Sequence, residues 1–138
     1  MVSNRWQRKL KGVRIDMSKT VLLAEDEPNI VEALRFLLSR EGIQVDIHSD
    51  GQTALDAIER RGPELVILDV MLPNKSGYDI LKELRDQEAT RDLPVLMLTA
   101  RGQKHDRDLA AQYGASRFMT KPFSNADVLA CVHDLLNG

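Results

Sequence analysis

Polar side chains with complementary chemistry follow four short apolar segments of the sequence. In chain order they are Glu25 and Asp26 after Thr20–Ala24, Asp69 after Leu65–Leu68, Thr99 after Pro94–Leu98, and Lys121 after Phe118–Met119. Any one of these residues alone would more often be a solvated or turn-forming side chain. Together they supply three carboxylates, one hydroxyl and one ammonium group.

The chemistry that suits this set is magnesium-assisted phosphoryl transfer. Carboxylates held close together repel unless a cation lies between them, and Mg²⁺ prefers oxygen ligands, often one or two carboxylates plus a phosphate. Lys121 can balance charge and contact a phosphoryl oxygen, and Thr99 can donate a hydrogen bond to another. Asp69 is then the carboxylate that attacks phosphorus and forms an aspartyl phosphate.

The apolar segments predict strands of a parallel sheet, because short continuous apolar runs are typical of strands buried on both faces. A weaker, alternating run, Ile43–His48, predicts an edge strand. Segments with helical spacing of apolar residues follow the strands: Ile30–Leu38, Ala54–Ile58, Ile80–Leu84, Leu109–Tyr113 and Val128–Leu136.

Five strand–helix repeats with right-handed crossovers predict a doubly wound α/β fold, a (βα)5 sandwich of three layers. Pro28 suits the first turn of the first helix, Gly114 would end the fourth, and Ser124 or Asn125 would cap the fifth. In such folds, ligands bind outside the carboxyl ends of the strands, where the strand order reverses. The chemical set therefore lies where a site is expected.

Length and composition fit one soluble domain: the chain has 138 residues, 43% hydrophobic and 29% charged. A net charge of −2 favours neither nucleic acid nor membrane as a direct partner. The sequence has no apolar run of the roughly 20 residues needed to span a bilayer and no signal peptide. The lone Cys131 cannot form an internal disulfide, which favours a cytoplasmic location.

The first residues differ from the rest in charge. Residues 1–16 carry five basic side chains and one acidic one, and Met17 resembles a natural start just before the first strand. We therefore divide the chain into a basic extension, residues 1–18, and a domain, residues 19–138. The extension is expected to be a disordered or artificial leader, with a basic arm for an acidic partner as the alternative.

The motifs, in this order and spacing, strongly resemble the receiver domains of two-component response regulators. The resemblance covers residues 19–138 and rests on VLLAEDEP at Val21–Pro28, LDVMLP at Leu68–Pro73 with Gly77, Thr99–Ala100, and FMTKPF at Phe118–Phe123. It implies a parallel five-stranded sheet with strand order 2-1-3-4-5. It also implies that Asp69 accepts a phosphoryl group from a sensor histidine kinase or a histidine phosphotransfer protein.

The resemblance further assigns a metal site. Asp26, Asp69 and the main-chain carbonyl of Met71 would ligate Mg²⁺ directly, and Glu25 would act through water. Mn²⁺ is a possible substitute. The domain would catalyse only its own phosphorylation and dephosphorylation, so we do not expect the protein to be an enzyme.

The remaining roles concern the response to phosphorylation. Lys121 would contact the phosphoryl group, and its peptide bond to Pro122 is typically cis in this family. Thr99 would move toward the phosphate and Phe118 would rotate inward behind it, although an aromatic residue on an apolar strand is usually just core. The surface formed by the fourth and fifth helices and the strand between them is then expected to change.

Two features favour a stand-alone receiver of the chemotaxis or phosphorelay type, which signals to an unidentified protein target. The last predicted helix ends at the C-terminus, so no output domain is expected. Receivers fused to winged-helix DNA-binding domains usually carry an acidic pair and an arginine where this chain has Ser116-Arg117 and Cys131. A fragment of a longer regulator remains the alternative.

The sequence argues against three other functions. A flavin or nucleotide binder would need a glycine- or hydroxyl-rich phosphate loop where this chain has Glu25-Asp26-Glu27. A Mg²⁺-dependent phosphatase would need a second aspartate at Met71 as general acid. An unphosphorylated pseudo-receiver that acts as a scaffold would be expected to lack an acceptor residue, and none is missing.

Overall fold

The computed structural model describes residues 19–100 and 104–137, which form a central parallel sheet between two layers of helices. The sheet has five strands in the spatial order β2-β1-β3-β4-β5. Their bounds are Thr20–Ala24 for β1, Gln44–His48 for β2, Leu65–Asp69 for β3, Val95–Thr99 for β4 and Arg117–Thr120 for β5. The predicted doubly wound fold and its strand order are confirmed.

Helices follow the strands in strict alternation. They are α1 (Pro28–Arg40), α2 (Gly51–Arg61), α3 (Gly77–Asp86), α4 (Lys104–Gln112) and α5 (Asn125–Asn137), with a 3₁₀ turn at Glu88–Thr90. Side-chain oxygens satisfy N–H groups at three helix starts, since Asp50 caps α2, Ser76 caps α3 and Ser124 caps α5. Alternation of β with α forces parallel pairing, because each strand restarts at the same edge of the sheet.

The strands β1, β3 and β4 have apolar residues on both faces, so the sheet has a core on each side. Leu22, Val66 and Met97 point into the core shared with α2, α3 and α4. Leu23, Ile67 and Leu96 point into the core shared with α1 and α5. Because a hydrophobic core packs against each face of the sheet, the polar side chains at the strand ends have a rigid backbone beneath them.

The boundaries differ from the sequence-based prediction by a residue or two. Asp69 and Thr99 were expected to follow β3 and β4, but each is the last residue of its strand. Strand β2 begins at Gln44 and not at the predicted Ile43. The proposed extension, residues 1–18, lies outside the described residues. Among the residues that are described, no helix is long and apolar enough to cross a membrane.

Candidate functional site

The polar set meets at one edge of the sheet, beside the point where the strand order reverses. Strand β1 lies between β2 and β3, with Ala24 opposite Leu68 in the β1–β3 pair. Glu25 and Asp26 leave β1 at this edge, and Asp69 ends β3 beside them. Backbone geometry alone therefore brings the three carboxylates together, although they come from two separate segments.

Carboxylate oxygens of Glu25, Asp26 and Asp69 all lie within 4.8 Å of one another. Glu25 is fully buried, Asp69 is 3% exposed, and Asp26 is open to solvent. The Oε2 atom of Glu25 accepts hydrogen bonds from the backbone N–H groups of Asp26 and Glu27, both at 3.0 Å. This side chain is therefore held in place, while Asp26 forms the solvent side of the cluster.

Lys121 supplies the positive charge opposite the cluster. Its Nζ lies 2.7 Å from Glu25 Oε1, 3.1 Å from Glu27 Oε1 and 3.4 Å from Asp69 Oδ1. The backbone N–H of Lys121 donates to the carbonyl oxygen of Thr99 at 2.7 Å, which ties the end of β5 to the end of β4. The Lys121–Pro122 peptide bond is cis.

Burial and neighbouring charge perturb two of these groups. Burial raises the pKa of Asp69 to about 6, and the negative charge of Glu25 adds to the effect, whereas Lys121 opposes it. Burial by itself lowers the pKa of Lys121, but its hydrogen bonds to Glu25 and Glu27 and the charge of Asp69 raise that pKa above the ordinary value. The site thus destabilises negative charge on Asp69 and stabilises positive charge on Lys121.

The donor set fits a hard divalent cation. Glu25 Oε1 is buried and has no hydrogen-bond partner of regular geometry, although Lys121 Nζ lies 2.7 Å away. Three carboxylates and one ammonium group leave the cluster negatively charged, and oxygen ligands of this kind are what Mg²⁺ takes in proteins. Bound Mg²⁺ would reduce the excess negative charge and would compensate the incompletely satisfied Oε1 of Glu25.

Three further predicted residues lie beside the cluster. The backbone N–H of Met71 points at Asp69 Oδ1 at 3.4 Å, and its side chain is 76% exposed. Thr99 is buried at the end of β4. Phe118, opposite Met97 in the β4–β5 pair, is partly buried against the core shared with α2, α3 and α4.

Two residues contribute in ways that the sequence did not indicate. Glu27 contacts Lys121, which no spacing rule could have indicated, because the two residues lie on different segments. Gly77 begins α3 against the end of β3, where an added Cβ would lie 2.3 Å from the carbonyl oxygen of Asp69. The glycine in the motif was visible, but only the fold shows which atom it approaches.

Comparison with known proteins identifies the family of the chain. Residues 21–133 match the family of response regulator receiver domains. The transcriptional regulatory protein PhoP for alkaline phosphatase synthesis, from Bacillus subtilis, is 42% identical over 120 residues, which are 87% of this chain and 49% of PhoP. The phosphate regulon regulator PhoB of Escherichia coli is 40% identical over 114 residues, covering 83% of this chain and 50% of PhoB. The chain thus spans about half the length of these relatives.

Solved structures agree with the sequence relatives. The receiver domain of a histidine kinase from Syntrophus aciditrophicus superposes with a TM-score of 0.81 at 30% identity, covering 88% of this chain and 92% of that one. The receiver domain of the sensor kinase PA1611 from Pseudomonas aeruginosa, solved with magnesium in its active-site cleft, gives 0.81 at 29% identity, covering 88% and 99%. The chain belongs to the response regulator receiver domain family, and its function is that of a phosphoacceptor domain in two-component signalling.

Proposed function

We propose that Asp69 is the phosphoryl acceptor and that it reacts in a Mg²⁺-dependent step. The observation that carries this assignment is the convergence of three carboxylates within 4.8 Å, with Lys121 Nζ 3.4 Å from Asp69. Glu25 and Asp69 are both buried and both lie near the ammonium group, but Asp69 is held only by a long hydrogen bond from Met71 N–H at 3.4 Å. Glu25 is held by two backbone N–H groups, and Asp26 faces solvent.

The chemistry divides among these side chains. An Asp69 carboxylate oxygen attacks phosphorus, and the bond to the donor nitrogen of a phosphohistidine breaks. With a pKa of about 6, Asp69 is mostly ionised at neutral pH and can act as the nucleophile. Lys121 balances charge on the phosphoryl oxygens, and Thr99 donates a hydrogen bond to another. Mg²⁺, or Mn²⁺ in its place, would supply charge neutralisation when bound by Asp26, Asp69, the Met71 carbonyl and, through water, Glu25.

The donor is a sensor histidine kinase or a histidine phosphotransfer protein, and the output is a changed affinity for a protein partner. Thr99 and Phe118 would carry the change from the phosphate to the surface formed by α4, β5 and α5. Buried packings switch between discrete arrangements because cores do not deform smoothly. The domain catalyses only its own phosphorylation and dephosphorylation, acts in the cytoplasm, and touches neither nucleic acid nor membrane directly.

Exposure to acetyl phosphate, followed by intact-mass measurement, tests the assignment. The wild-type chain should gain the mass of one phosphoryl group with Mg²⁺ and none with excess chelator. Asp69→Asn should gain nothing, because the amide is not a nucleophile. Asp86→Asn, at the exposed end of α3, is the matched control and should be labelled like wild type.

The same experiment separates the scaffold alternative from the proposal. An unshifted wild-type mass under all conditions, including with a panel of phosphorylated kinases, would favour an unphosphorylated pseudo-receiver. Labelling that persists in Asp69→Asn would place the acceptor elsewhere and would contradict the assignment.

A further inference from the structure

The ammonium group of Lys121 contacts a carboxylate that does not belong to the predicted metal-binding cluster. Glu27 Oε1 lies 3.1 Å from Lys121 Nζ, closer than Asp69 Oδ1 at 3.4 Å. Within the described part of the chain, the carboxylate cluster consists of Glu25, Asp26 and Asp69, without Glu27. Metal binding therefore does not explain the contact between Glu27 and Lys121.

The position of Glu27 on its helix is also unusual. Glu27 is the N-cap residue of α1, but its side chain makes no capping hydrogen bond. Ser, Thr, Asp and Asn cap helices well, whereas Glu is not among the favoured caps. Pro28 at the first helical position lacks the N–H group that is one of the orphan donors there. The side chain of Glu27 makes no cap and instead accepts a hydrogen bond from Lys121 Nζ.

Three carboxylates crowd the ammonium group of Lys121, which donates a hydrogen bond to Glu27 Oε1, whereas Glu25 Oε1 has no partner of regular geometry. An ammonium group has three N–H donors, and the carboxylates of Glu25, Glu27 and Asp69 already surround it. A phosphoryl group attached to Asp69 therefore competes with these carboxylates for the ammonium group. Glu25 is buried and fixed by two backbone N–H groups, so it cannot move away. The side chain of Glu27 is 57% exposed and can turn into water.

We propose that Glu27 is a positioning residue: it occupies Lys121 as a substitute anion until Asp69 carries a phosphoryl group, and it thereby weakens uptake of that group. The inference rests on the proposed function of Asp69. Glu27 and Asp69 lie around the same ammonium group. The negative charge of Glu27 therefore also repels a phosphoryl group on Asp69, and this effect has the same sign as its competition for Lys121.

Glu27→Gln keeps the length of the side chain and removes its charge, so it is the informative variant. Beryllofluoride, a phosphoryl analogue, would be titrated calorimetrically at saturating Mg²⁺. We expect Glu27→Gln to bind it about 2- to 5-fold more tightly than wild type, the range of an exposed ion pair. The control is Glu32→Gln, which removes an exposed charge from the same helix where it contacts Arg35, and it should bind like wild type.

A second titration, with Mg²⁺ alone, identifies the cause. Mg²⁺ affinity should change less than analogue affinity in Glu27→Gln, because Glu27 lies outside the carboxylate cluster. Equal or weaker analogue binding by Glu27→Gln, or equal tightening in Glu32→Gln, would overturn the inference. Failure of the wild-type chain to bind the analogue at all would overturn the proposed function itself, so the two failures are distinguishable.

Discussion

Replacing the acceptor carboxylate should make the metal-free domain more stable, although it destroys the site. Ionised Asp69 is 3% exposed and lies close to Glu25, and the resulting rise of its pKa from 3.8 to about 6 is a cost to the folded state. At 1.36 kcal/mol per pKa unit, that rise corresponds to about 3 kcal/mol at neutral pH. Asp69→Asn removes this cost, which is a net value that already includes the favourable charge of Lys121, but the buried amide must find its own hydrogen-bond partners. We expect a net gain of about 1–3 kcal/mol in the free energy of unfolding.

The stability difference between wild type and Asp69→Asn should depend on pH with a definite sign. Because the pKa of Asp69 is raised in the folded state, folding takes up a proton between pH 3.8 and about 6. Wild type therefore loses stability relative to Asp69→Asn as the pH rises through this window, and the difference is constant above it. Below pH 3.8 the carboxyl is protonated in both states and the difference disappears.

Urea unfolding in chelator at several pH values measures this difference directly. Asp26→Asn is the matched control, since Asp26 belongs to the same cluster but is exposed, and it should change metal-free stability much less. Mg²⁺ should narrow the gap between wild type and Asp69→Asn by stabilising the protein that retains all its ligands. If Asp69→Asn were no more stable than wild type at neutral pH without metal, or if the gap did not shrink toward low pH, the electrostatic account would be wrong.

Two further predictions concern residues that support the site. Gly77→Ala should cost about 1–3 kcal/mol and slow acetyl-phosphate labelling, because its Cβ would meet the Asp69 carbonyl. Gly42→Ala, which places Cβ in open space at φ +77°, should affect stability alone; equal labelling defects would contradict the steric account. Tyr78→Phe should cost about 0.5–1.5 kcal/mol by removing a hydroxyl that donates to the Asp106 carbonyl at 3.3 Å. Amide hydrogen exchange should then become faster in α4 and not in α5. An equal increase in both helices would refute this prediction.

The sequence predicted the site well because each of its residues is tied to a backbone feature. Apolar runs located the strands, and strand ends located Asp69 and Thr99 to within one residue. Parallel pairing then required those ends to meet at one edge of the sheet. The family resemblance supplied the strand order, which periodicity could not. Strand β5 was predicted as two residues and has four, since Arg117 is exposed and gives no apolar signal.

Contacts that depend on side-chain reach were not predictable in the same way. The ion pair between Glu27 and Lys121 joins residues 94 positions apart, and it forms only because α1 starts beside the end of β5. The same holds for the edge-to-face contact of Tyr78 with Tyr113, whose ring centroids are 5.7 Å apart and which links α3 to the turn that follows α4. Topology predicts that the strand ends meet, but which side chains of neighbouring elements reach one another becomes visible only in the fold.

These contacts determine how charge is balanced in the unphosphorylated site. Burial makes the charge on Asp69 costly, and three carboxylates share one ammonium group, so the site gains free energy from any cation that enters it. A phosphoryl group adds further negative charge and competes for Lys121 with a carboxylate that water can solvate. Glu27 is exposed enough for that exchange, and Glu25 is not. The free energy of phosphorylation is therefore set partly by a surface glutamate that touches neither the metal cluster nor the acceptor.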